Sequence, residues 1–144
     1  MKTWAEFERD DPALAAFGRE RLQGRVVYQA TLRADGSPRV HPVSPWFGAG
    51  LLVVSCRLRS PKVEEFARDG RYAMHSALPS DDHEGAAGEF LVSGWMERLS
   101  DVHPSAVARP FEGEETLAFW ACGLEEAVAT TYEDDAPVYR RWRA

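Results

Sequence analysis

Two basic side chains at a set spacing are the residues best placed to do chemistry in this chain. Arg39 lies on a predicted strand that follows the Asp35-Gly36 turn. Lys62 follows Ser60-Pro61, a helix start in which the hydroxyl caps an amide and proline occupies the first position without wasting a donor. Between them runs the apolar stretch Leu51-Leu52-Val53-Val54-Ser55-Cys56. A strand that delivers the chain to a helix N-terminus makes an anion site, because the helix dipole and free amides favour negative charge. Arg39 and Lys62 beside that end read as a phosphate cradle. His41 shares the strand face of Arg39 and joins the candidates, since alternate residues point the same way. His75 sits mid-strand and reads as packed.

Charge distribution supports a small anion as ligand. The chain carries 17 Lys+Arg against 23 Asp+Glu, a net charge of −6. Residues 33–71 hold seven basic and four acidic side chains, a net of +3, so the remainder carries −9. An acidic protein with one basic segment is poorly suited to nucleic acid, where affinity scales with the phosphates neutralised. Only two of the basic residues are lysines, Lys2 and Lys62. Asp81-Asp82-His83-Glu84, within the polar stretch Leu78 to Gly88, reads as a solvated acidic loop and not as a metal site, because it lacks the spacing that fixes coordination. No metal is expected. Cys56 and Cys122 form neither a CxxC nor a disulfide framework, which fits a reduced cytoplasm. No apolar run approaches the roughly 20 residues of a membrane span, and the acidic start MKTWAEFERDD does not resemble a signal peptide.

The elements that must position these residues follow from local signals. Thr3 to Glu6 fits a capping box, and Asp11-Pro12 starts a second helix that ends before Gly24. Arg25 to Arg33 alternates, with Val26, Tyr28, Ala30 and Leu32 on one face and Val27, Gln29 and Thr31 on the other. The next strand puts Arg39, His41 and Val43 on one face and Val40 and Pro42 on the other; its prolines mark it as an edge or a bulged strand. A turn at Gly48-Ala49-Gly50 precedes the apolar strand. A helix then runs from Pro61 to Asp69-Gly70, and a strand from Arg71 to Ala77. Glu89 to Leu99 is a long strand with Gly94 marking a bulge. Ser100 to Glu115 is irregular, and Leu117–Gly123 and Leu124–Tyr132 are the last two strands. Trp142, in the tail from Val138, is expected to pack, a dimer interface being one place for it. Six or seven short strands with few helices give a mainly β, antiparallel barrel with peripheral helices. One domain spans 1–144: a helical segment to 24, the barrel over 25–132 and a tail over 133–144.

These motifs, in this order, resemble the FMN-binding split-barrel family typified by pyridoxamine 5′-phosphate oxidase. Gly36-Ser37-Pro38-Arg39 stands where that family has a G-x-P turn and a basic residue. Ser60-Pro61-Lys62 stands for its S-x-K helix start, and Glu97-Arg98-Leu99-Ser100 resembles the end of its long strand. The resemblance implies a six- to seven-stranded split barrel and a homodimer with FMN between the subunits. It implies that Arg39, Ser60 and Lys62 hold the phosphate, that Val40, His41, Pro42 and Val43 line the ring with Ser55 and Cys56 on the adjacent strand, and that Glu89 approaches the ring from the other subunit. It also implies an oxidoreductase acting on a small molecule. Ser44 and Pro61 replace basic residues of the oxidase, and its C-terminal substrate-binding arginine motif has no counterpart, so vitamin B6 oxidation is not implied. Related split barrels bind a deazaflavin or haem, which leaves a deazaflavin-dependent reductase, or a flavin- or haem-binding module without turnover, as alternatives.

Overall fold

The computed structural model describes residues 1–78, 87–99 and 117–144. Two helices open the chain, α1 (Trp4–Asp10) and α2 (Pro12–Leu22). Thr3 caps α1 as its spacing requires: its amide donates to Glu6 Oε2 at 2.7 Å, and the Glu6 amide donates back to Thr3 Oγ1 at 3.3 Å. Asp11 then accepts from the Leu14 amide at 3.0 Å, with Pro12 in the first turn of α2.

Among the described residues eight antiparallel strands follow, with one helix between them. They are β1 (Val27–Leu32), β2 (Pro38–Val43), β3 (Trp46–Gly48), β4 (Leu51–Arg57), β5 (Arg71–Ser76), β6 (Glu89–Arg98), β7 (Leu117–Glu133) and β8 (Ala136–Arg143); α3 (Pro61–Arg68) separates β4 from β5. The sheet runs β2-β1-β5-β6-β7-β4-β3, with β8 also paired to β7, and curls into a half-barrel. Among the described residues β2 is an edge strand hydrogen-bonded to β1 alone, which explains its tolerance of Pro38 and Pro42. The inner face carries Val27, Met74, Phe90, Val92, Leu52, Val54 and Trp120, and α1 and α2 cover it through Trp4, Phe7 and Leu14.

Three elements differ from the sequence reading. The last two expected strands are one, β7, and its irregularity is a register shift opposite Ser93/Gly94. A side chain at Gly94 would overlap the carbonyl oxygen of Gly123, so the bulge forms where glycine permits close backbone approach. Residues 133–144 are not a tail. Asp134 and Asp135 both adopt positive φ (49° and 63°), which closes a tight hairpin and returns the chain as β8. Trp142 then packs in its own chain, with its ring centroid 4.6 Å from that of Phe7. The third difference is β3, a three-residue strand folded onto β4 by Ala49 and Gly50, again both at positive φ.

Candidate functional site

α3 gathers the cationic candidates. Ser60 is its N-cap, and the Lys62 amide donates to Ser60 Oγ at 3.3 Å. That amide is therefore spent on the cap. What the helix end presents to a ligand is its dipole and the half-buried Lys62 side chain. Arg39 reaches across from β2 and donates to Glu65 Oε1 at 2.7 Å. Glu65 was not a sequence candidate; it lies one turn after Lys62, at the helical spacing that faces the same neighbours.

His41 lies beneath these charges. It is 7% exposed, stacks on Phe66 at 6.0 Å, and sets Nε2 3.3 Å from Gln29 Oε1. Burial, then the Lys62 and Arg39 charges, push it down to about 4, so the ring is neutral at physiological pH. Lys62 is itself pushed down by burial and by Arg39, against the opposing pull of Cys56 and Glu65. Cys56 lies on the same side, and burial pushes its thiol up, which makes it a packed thiol and not a nucleophile. Two positive charges, Arg39 and Lys62, thus meet one carboxylate, Glu65. Among the described residues Lys62 Nζ has no carboxylate within 4.0 Å, and His41 Nδ1 and Glu65 Oε2 are buried without a hydrogen-bond partner. One positive charge remains for an anion.

The other candidates separate by face. Val43 is buried in the core, while Val40 is 63% exposed on the opposite face together with Pro42. Ser55 and Cys56 were expected on a strand adjacent to β2, and they are not. β4 pairs with β3 and β7, and α3 packs on β4 while its Glu65 and Phe66 meet Arg39 and His41 of β2. The two residues also point to opposite faces, Cys56 into the core and Ser55 away from it, as successive strand residues must. Glu89 is engaged within its own chain: Tyr132 donates to its Oε1 at 2.7 Å, and its Oε2 lies 3.2 Å from His75 Nε2. Sequence reasoning left His75 as a packed residue and did not single out Tyr132, because only the sheet register brings β5, β6 and β7 together there. The acidic group 81–84 and the irregular stretch 100–115 lie outside the described residues.

No family model matches the sequence, and no curated protein matches it. Solved structures do. A heme binding protein from Mycobacterium smegmatis superposes with a TM-score of 0.69 at 18% identity over 92% of this chain, which spans 58% of that protein. A pyridoxamine 5′-phosphate oxidase-related FMN binding protein from Nostoc punctiforme matches at 0.59 and 10% identity over 97% of both chains. An F420 reductase matches at 0.58 and 15% identity over 76% of this chain and 94% of its own. At such identities the likeness speaks for architecture, and its three representatives differ in what they bind. The chain has the split-barrel fold that these flavin-related and heme-binding proteins share.

Proposed function

We propose that the protein is an FMN-binding oxidoreductase built as a split-barrel homodimer, with Arg39 and Lys62 holding the flavin phosphate at the N-terminus of α3. The observation that carries the reading is the positive charge there: a half-buried Lys62 that has no carboxylate partner among the described residues, beside an Arg39 already oriented by Glu65. A guanidinium fixed by one acceptor keeps further N–H groups for a phosphate. The edge position of β2 lets a ligand anchored at α3 pass round to Val40 and Pro42, leaving Val43 and Cys56 as packing behind the site. FMN would supply hydride transfer; the protein positions its phosphate and ring and excludes water.

The dimer has its own support. Val26, just before β1, and Tyr28 and Val40, on the outer faces of β1 and β2, are 55%, 53% and 63% exposed, apolar side chains that a second copy could cover. A deazaflavin or haem would occupy the same face, and the neighbours include proteins of both kinds.

The absorption spectrum of freshly purified protein separates the cofactors, since flavin, deazaflavin and haem bands differ. FMN titration by fluorescence quenching then tests the cradle. Lys62→Ala removes a charge-assisted contact of roughly 1.5–3 kcal/mol, a loss of about tenfold to a hundredfold in affinity. Arg68→Ala, at the far end of α3, is expected to leave affinity unchanged. Equal FMN affinity for wild type and Lys62→Ala removes the cradle.

A further inference from the structure

The outer face of the sheet carries a hollow that the phosphate cradle does not use. On β6, Trp95, Glu97 and Leu99 share that face, because alternate residues of a strand point the same way. The register sets Gly123 of β7 opposite Trp95, and Ala121 opposite Glu97. On the other side of β7, Ala121 lies opposite Val53 of β4, and Leu51 lies two residues along the same face. Two of the smallest residues thus sit between larger ones, and the sheet is hollowed along β7 by about 280 Å³.

The walls are held in place. The Lys2 amide donates to the Leu124 oxygen at 2.9 Å and the Leu124 amide donates back to Lys2 at 2.8 Å, which seats Met1 against Gly123. Trp95 stands across from it, 40% exposed. A side chain at Gly70 would overlap its indole, so glycine there lets the ring lie against the backbone. Past Glu97 the surface continues into an apolar cluster of Trp46, Val53 and Phe119, with Leu99 packed on it.

Charge decides what such a hollow accepts. Lys2 contributes its backbone to the rim, while its ammonium is taken by Asp10 at 2.6 Å. Arg98 lies on the opposite strand face from Glu97. Glu97 is exposed, and among the described residues it has no basic side chain within 4.0 Å. The hollow therefore presents one carboxylate beside an indole, against apolar walls. Both groups attract a cation, the carboxylate by its charge and the indole by its ring quadrupole.

We propose that this hollow binds a small organic cation, an amine whose ammonium meets Glu97 and Trp95 and whose apolar body lies over Ala121 and Gly123. Its volume sets the size class. Ligand pockets run from roughly 300 to 1,000 Å³, so this one accommodates an amine of the size of phenethylamine and not a nucleotide. The proposal goes beyond the flavin reading and does not depend on it.

Phenethylamine, 2-phenylethanol and 3-phenylpropionate share an apolar body and differ in charge. Each is titrated against the purified full chain by ligand-observed NMR. Wild type is expected to bind the amine about tenfold more tightly than the alcohol, and the acid more weakly than either. Glu97→Gln is expected to bring the amine down to the affinity of the alcohol. Trp95→Ala is expected to weaken the amine about tenfold, and Trp95→Phe to recover part of that loss. Both side chains are exposed, so these variants keep the fold. Lys62→Ala is expected to leave all three ligands unchanged. Equal affinity of wild type for amine and alcohol, or amine binding untouched by Glu97→Gln, overturns the assignment of the charge. No amine binding at millimolar concentration, or binding lost in Lys62→Ala, overturns the site itself. Each of these results leaves the flavin reading standing, because FMN is absent from the titration.

Discussion

His41 makes the packing beneath α3 measurable as a pH dependence. Its folded-state value of about 4 lies below the roughly 6.5 of a free histidine. Between pH 4 and 6.5 the unfolded chain therefore binds more protons than the folded one, and stability falls as pH falls through that window. Above pH 6.5 the contribution is fully present. Integrated from pH 7.5 to pH 5.0, a shift of this size costs about 2 kcal/mol, approaching about 3 kcal/mol by pH 4. The ring's 7% exposure justifies taking most of that figure, because little solvent remains to screen it. His41→Phe keeps a flat ring against Phe66 and removes the titration. Urea unfolding of both proteins at pH 7.5 and 5.0 isolates the term from that of the carboxylates. Wild type is expected to lose about 2 kcal/mol more than the variant over this interval. Equal losses would show that His41 does not carry the protonation penalty assigned to it, and that the charges of Lys62 and Arg39 are screened from it.

Arg39→Ala is expected to reduce stability as well as FMN affinity, by roughly 2–3 kcal/mol, because it strands the 12%-exposed Glu65 carboxylate. Arg39→Ala/Glu65→Gln should restore much of the stability without restoring affinity, as chemical denaturation and titration together would show. Gly94→Ala should destabilise by about 1–3 kcal/mol in thermal or urea melts, since its methyl would collide with the Gly123 carbonyl at the bulge. Light scattering at micromolar concentration should report about twice 16.1 kDa, and Val40→Lys, on the exposed face, should shift the species toward monomer. With FMN-loaded protein, pyridoxine and pyridoxamine 5′-phosphates should yield no appreciable hydrogen peroxide, since Ser44 stands where the oxidase has a second basic residue.

Local interactions in the chain were enough to determine several features. Thr3 and Glu6 cap each other across one turn, and Asp11-Pro12 and Ser60-Pro61 start helices, because each depends on neighbours within a few residues. Tertiary structure decided the rest. Arg39 meets α3 through Glu65 and not through the strand pairing that the sequence suggested, because β2 pairs with β1 and β4 with β3 and β7. Val26, Tyr28 and Val40 look like core and lie outside, while Gln29 and His41 look like surface and lie within. An alternating strand shows which residues share a face, not which face the helices cover. Ser55 and Cys56 appeared to neighbour β2 because the chain is continuous there, but the pairing of β4 with β7 carries them away. Glu65 finds Arg39, and Glu89 finds His75 and Tyr132, only because non-local register and helix placement bring separate strands together. Those partners lie as far as 43 residues away in sequence, beyond the reach of any local propensity.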